Sequence, residues 1–419
     1  MFMQAPIIQN GIRFFVIPAK QFKTVSVRVN LYRPLCREEA AQNALITRLL
    51  KSATAQYPTP LALNRALDEL FGASLSADIV KQGETAALSF GLSYLKDRYT
   101  GEEGTEQAAI RLLCQVIARP LVQEGGFSPE LFRIERENLK QKIQNRVNDK
   151  KTYARERCYE EMCRQEPFGI YEYGKMEDLE SLTPQGLYRH YQELLSSPMD
   201  VFLCGEVEPE QVIPFFTEHF APRGSLPQTR LTAPVSAPQT VTEEMEVNQG
   251  KLCLGFTTGI GADDPAFPAL YLYNSIFGAD VHSKLFQNVR EKRSLAYYAY
   301  SGLERFKGIL LVSSGIECDK FQEAYDEIML QADAMRKGDF TNEEQKLSLR
   351  SIANRLRAMK DSPEALLSYA MTQALLSNPR EPEQLMKALS AVTKEDIQAV
   401  AQQVQLHTVY FLKNQGGNQ

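Results

Sequence analysis

The chain has 419 residues, 43% of them hydrophobic, and a formal net charge of -5. That length can bury two or three cores, and nothing in the composition is disordered or fibrous. The mild acidity argues against a nucleic-acid partner, and no apolar run approaches the roughly eighteen residues of a membrane span.

In chain order, Met1-Phe2-Met3-Gln4-Ala5-Pro6 lacks the basic and apolar regions of a signal peptide, so a cytoplasmic location is expected. Seven cysteines, an odd number without a C-x-x-C pair, fit reduced thiols. Asn10-Gly11 between two β-prone runs reads as a hairpin. Val25, Val27, Val29 and Leu31 alternate with polar residues as a strand. From Glu38 the period becomes helical, with Ala41, Ala44, Leu45, Arg48 and Leu49 in register until Tyr57-Pro58-Thr59-Pro60. A second helix over 61–71 stops at Gly72, strands follow near 74–80 and 85–92, and a helix covers 105–117. Ser128-Pro129 opens a long charged helix expected to run to Cys163. Between Arg133 and Arg157 stand nine Lys/Arg against four Asp/Glu. Such a face is usually solvated, and could also line a cavity that receives acidic or carbonyl-rich ligands.

Thr183-Pro184 starts another helix, and 199–205 reads as a buried strand. Residues 222–239 carry Pro222, Pro227, Pro234 and Pro238 and read as a linker between domains at 1–221 and 240–419. The second half repeats the first in kind: strands over 241–258, a helix over 265–277, a strand near 309–316 and helices from Phe321 onward. Phe71-Gly72-Ala73 returns as Phe277-Gly278-Ala279, Phe127-Ser128-Pro129-Glu130 as Phe340-Thr341-Asn342-Glu343, and Ser181-Leu182-Thr183-Pro184 as Ala391-Val392-Thr393-Lys394. Anchors in one order at nearly one offset indicate an internal duplication. Hairpins and helix pairs without strict βαβ alternation predict α+β halves, each a mainly antiparallel sheet covered by helices on one face.

The second half also holds Leu285-Phe286-Gln287-Asn288-Val289-Arg290-Glu291-Lys292-Arg293-Ser294-Leu295-Ala296-Tyr297. Ser283 can cap a short helix with Leu285, Phe286 and Val289 on one face, and after Ser294 the pattern alternates like a strand. Arg290 and Tyr297 thus share a helix-to-strand corner, where a guanidinium fork and a phenol could grip a carbonyl oxygen or an oxyanion. A solvated loop followed by a packing tyrosine is the competing reading.

This stretch resembles the signature of the second half of the insulinase and pitrilysin family of zinc metallopeptidases. The resemblance covers essentially the whole chain and implies two α/β-roll domains in a clamshell, with Arg290 and Tyr297 matching a pair that contacts substrate at the zinc of the first domain. The zinc motif of that family, H-x-x-E-H, falls at Ala44-Leu45-Ile46-Thr47-Arg48, and the distal glutamate position falls at Lys142, with Glu135 and Glu137 one or two turns earlier. Ala44, Thr47, Arg48 and Lys142 are therefore degenerate zinc-motif positions. No shift of register restores the site, since the first histidine of the chain is His190. His190, His219, His282 and His407 lack ligand spacing, and His282 lies close to the corner.

No cofactor is expected in this chain and zinc only in a partner. The resemblance implies a zinc-less subunit that supplies Arg290 and Tyr297 to a homologous H-x-x-E-H subunit in a heterodimer acting on peptides or unfolded polypeptides, without activity of its own. The alternative is a non-enzymatic scaffold or accessory factor in a bacterial peptide or protein modification pathway.

Overall fold

The computed structural model describes residues 2–415; Met1 and residues 416–419, the outer ends of the two expected domains, lie outside the described residues. Two compact units divide the chain, and neither is continuous in sequence. The first takes residues up to Gln144, Ile170–Gln228 and Met359–Leu375; the second takes Asn145–Gly169, Thr229–Ala358 and the residues after Leu375.

The sheet of the first unit is built from β1 (Ile7–Gln9), β2 (Ile12–Pro18), β3 (Thr24–Pro34), β4 (Ser74–Gln82), β5 (Thr85–Leu95) and β6 (Met199–Gly205). Asn10 and Gly11 both take positive φ, 50° and 80°, which closes the β1–β2 hairpin in the two-residue turn that matches strand twist. The strand order is β1-β2-β6-β3-β5-β4, with β2 and β6 parallel and the other pairs antiparallel.

The sheet of the second unit contains β7 (Gln239–Met245), β8 (Gly250–Thr257), β9 (Ala296–Glu304), β10 (Ile309–Ile316) and β11 (Gln405–Asn414), in the order β9-β10-β8-β11-β7. Here β7 and β11 are the parallel pair and the others are antiparallel. Read from its parallel edge, β7-β11-β8-β10-β9 repeats β2-β6-β3-β5-β4 in order and sense, so the two halves are copies of one α/β fold with antiparallel-rich open sheets. The Phe-Gly-Ala anchor does not occupy equivalent places, however. Gly72 turns directly into β4, whereas Phe277-Gly278 lies in a π-helical turn two elements before β9.

The expected long helix is broken: Pro129–Asn145 ends in a 3₁₀ turn, and a second helix, Lys150–Met162, starts at Asp149, whose carboxylate caps the Thr152 N–H. That second helix packs on β8 and β11 of the second unit, and Gly255 leaves the room it needs, because a Cβ there would meet Met162 Sδ at 2.8 Å. The helix Pro363–Ala374, which holds the same place in the second half, packs on β6, β2 and β3 of the first unit. Each half thus gives one helix to the other half's unit. The expectation of helices on one face only is corrected accordingly: every residue of β6 is buried, as a strand covered on both faces must be. Charge holds the donated helices. Arg13 grips the buried Asp200 at 2.7 and 2.6 Å and also donates to the Ala374 carbonyl, while Arg157 joins Glu160, Glu161 and Glu243.

Candidate functional site

The short helix expected after Ser283 is present as a π-helical turn over Leu285–Lys292. Such turns are rare and concentrate at functional positions. Leu285 and Val289 are fully buried and anchor it, and the Ser283 hydroxyl accepts from the Phe286 N–H at 3.3 Å, as its place before the turn suggested. Ser294 takes φ of 50°, the left-handed conformation that ends helices, and the Ser294 and Leu295 amides return to the Arg290 and Val289 carbonyls.

The strand that follows is irregular at one point. Ala296 pairs with Ile316 and Tyr298 with Gly315, so Tyr297 is the extra residue of a β-bulge. A bulge re-aims the side chain it carries, and Tyr297 is 59% exposed. Arg290 lies over the Phe286 ring at 4.6 Å, with its Nε 3.5 Å from the exposed Glu291 carboxylate, a surface contact that contributes little. Both members of the pair are thus presented at the corner while its frame is buried.

Behind the corner lies a network that nothing in the sequence pattern marked. The buried Glu327 on the helix Phe321–Arg336 accepts from Arg293 and from Gln331, each at 2.7 Å, and Gln331 accepts from Asn288 at 3.0 Å. The middle of the turn, at Asn288, and the residue that ends it, Arg293, are therefore tied to one helix. His282 stands apart from this network, with Nε2 3.0 Å from Ser348 Oγ.

Of the positions that the resemblance matches to the zinc motif, Ala44, Thr47 and Arg48 lie on Arg37–Ser52 of the first unit and Lys142 on Pro129–Asn145. Ala44 is buried, and the Thr47 hydroxyl donates to the Asn43 carbonyl at 2.8 Å. Arg48 points to the neighbouring long helix, where its Nε donates to Glu135 Oε2 at 3.0 Å, and Ser52 donates to the other oxygen at 2.7 Å. Glu137 is exposed. Lys142 belongs to a different cluster, 3.3 Å from Asp78 Oδ1 and 3.7 Å above the Tyr173 ring. His190 pairs with Asn43 at 2.8 Å, and burial pushes its imidazole below the ordinary range, which favours the neutral form. Zinc takes thiolate, imidazole and carboxylate donors. The motif positions offer a methyl, a hydroxyl already spent and two cations, and the nearby carboxylate is held by Arg48, so the residues present do not fit a zinc site. Among the described residues no group of three His, Cys, Asp or Glu could hold a metal ion.

The chain as a whole has counterparts among known proteins. A family model described as the peptidase M16 inactive domain matches residues 181–350, the region that contains the corner. A Bacillus subtilis protein named "Probable inactive metalloprotease YmfF" is 33% identical over 413 residues, which is 97% of each chain. The chain belongs to the M16 peptidase family. Its M16 fold is closely matched by the crystal structure of a conserved protein from Enterococcus faecalis V583, at TM-score 0.92 and 29% identity, covering 99% of this chain and all of that one. The Bacillus subtilis antilisterial bacteriocin subtilosin biosynthesis protein AlbE is 24% identical over 392 residues, covering 91% of this M16 chain and 95% of that one. Likeness to an inactive M16 domain and to an inactive metalloprotease agrees with the chemistry of the degenerate motif. No helix among the described residues is long and apolar enough to cross a membrane.

Proposed function

We propose that this chain is the zinc-less subunit of a two-chain M16 peptidase, in which Arg290 and Tyr297 act in trans on a peptide held at the metal of a homologous H-x-x-E-H partner. The observation that carries the reading is the corner itself: a buried, bulged and hydrogen-bonded frame presents an exposed guanidinium and an exposed phenol. Groups kept for packing alone would be buried with the frame. A guanidinium and a phenol donate hydrogen bonds without accepting a proton, so their work is to hold substrate carbonyls and to meet negative charge as it develops on oxygen. The metal chemistry belongs to the partner, and we place both chains in the cytoplasm.

The test is co-purification of the tagged chain from its native host. The reading expects a homologue carrying H-x-x-E-H, zinc in that homologue, and peptide turnover by the pair that neither chain shows alone. The likeness to AlbE favours a second reading, a non-enzymatic accessory factor in a peptide modification pathway. Recovery of peptide-modifying enzymes and no metallopeptidase in the same experiment selects it.

A further inference from the structure

Next to the corner, the sheet of the second unit carries two cations that no carboxylate neutralises among the described residues. The register places Tyr298 of β9 and Lys251 of β8 on either side of Gly315 in one transverse row. A Cβ on Gly315 would sit 2.5 Å from Tyr298 Cε1, so the glycine is what lets the ring lie flat across the sheet. Two residues further on, the Tyr300 ring stands 5.9 Å from Tyr298 and tilted by 38°. Lys151, in the first turn of the donated helix, holds its Nζ 4.6 Å from both ring centroids, and Lys251 Nζ lies 5.8 Å from that of Tyr298.

Both ammonium groups therefore share one aromatic floor, no more than about 10 Å apart. The nearest acid in sequence, Asp149, keeps its charge but turns its carboxylate to the Thr152 amide and hydroxyl at 3.1 and 2.7 Å rather than to either ammonium. Among the described residues Lys251 donates to the neutral Gln249 amide oxygen, at 3.4 Å, and to no carboxylate. Two like charges held over one face repel each other, and an arriving anion relieves that repulsion. The cation–π contacts fix where the ammonium groups stand and leave N–H donors free.

We propose that Lys151 and Lys251, over the Tyr298–Tyr300 floor, form a binding site for a carboxylate of a peptide. Burial lowers the Lys251 ammonium from its usual range, with Cys318 opposing that shift and the Lys151 charge adding to it. Tyr298 directly follows Tyr297, so a carboxylate here belongs to a peptide lying beside the corner; this deepens the functional reading above by naming an acidic substrate class. A free C-terminus and an Asp or Glu side chain present the same chemistry.

The probe is a short fluorescein-labelled Ala/Gln peptide, made as the free acid and as the C-terminal amide, each with an internal Glu or with Gln in its place, titrated into the full chain by fluorescence anisotropy. A peptide bearing a carboxylate is expected to bind at least about tenfold tighter than the amidated Gln form, with Lys151→Met and Lys251→Met each removing about tenfold. Lys251→Arg should keep the preference, and so should Lys346→Met, which deletes an exposed charge on another helix. Preference for the free acid identifies the C-terminus as the group bound, and preference for Glu identifies the side chain. Equal binding of all forms, absence of binding, or an unchanged preference in both Met variants with native circular dichroism overturns the proposal. No zinc-bearing partner is present in this assay, so its failure and that of the two-chain reading are separable.

Discussion

Arg48, which the sequence resemblance matches to the second histidine of the M16 zinc motif, donates to Glu135 on the adjacent helix at 3.0 Å. The carboxylate beside this cation is thereby already matched.

The purified chain is therefore expected to hold no stoichiometric zinc. Arg48 and Lys142 offer no ligand atom to a divalent ion, and no histidine precedes His190. Elemental analysis of protein purified without chelator checks this. One tightly held zinc per chain, released only by chelation, contradicts it.

The same pair should now serve stability. Removing Arg48 leaves Glu135, whose side chain is only 12% exposed, with the neutral donors Ser52 and Asn138. Arg48→Ala should cost about 1–2 kcal/mol in urea unfolding, and Glu135→Gln in the same chain should recover part of that loss. Equal midpoints for wild type and Arg48→Ala would show that the pair is idle.

Acid should loosen the donated helix through Glu243. Burial alone would raise this carboxyl, yet hydrogen bonds from Tyr153, Tyr410 and Arg157 outweigh it and hold the pKa below the ordinary carboxylate range. A depressed carboxyl gives stability that is complete above its unfolded value, roughly 4.3, and lost as pH falls through the folded value. Urea midpoints between neutral pH and about pH 3 should fall less steeply for Glu243→Gln than for wild type. Parallel curves would remove Glu243 from the account.

The frame behind the pair makes a separate prediction. Arg293→Ala leaves the buried Glu327 carboxylate with Gln331 alone and should cost about 1–3 kcal/mol. Lys292→Ala, at an exposed position, should stay within about 0.5 kcal/mol. Thermal unfolding of both variants checks it, and the reverse order would mean that the network does not brace the turn.

Much of this was legible in the residues. Asn10-Gly11 gave the hairpin, the alternation of Val25, Val27, Val29 and Leu31 gave β3, and Ser283 with Leu285 and Val289 gave a helical turn leading into a strand. Local signals with one structural solution read well. The π form of that turn did not, because it depends on Glu327 and Gln331, far away in sequence. The bulge at Tyr297 was hidden for a similar reason, since a bulge is defined by the partner strand. The break at Asn148-Asp149 carried a capping signal that the surrounding helical pattern concealed. The exchange of Lys150–Met162 and Pro363–Ala374 between units was not readable at all: an apolar helix face states that it needs a sheet and not which sheet.

The most direct test of the central claim is the turnover of the reconstituted two-chain complex carrying Arg290→Ala or Tyr297→Phe in this chain. Donors aimed at developing charge in a shielded site contribute about 10² to 10³ in rate each. Each variant should lose turnover on that scale while assembly and the partner's zinc content stay unchanged. Full turnover by both variants, in a complex that assembles normally, would contradict the claim and leave Arg290 and Tyr297 as surface residues of a scaffold.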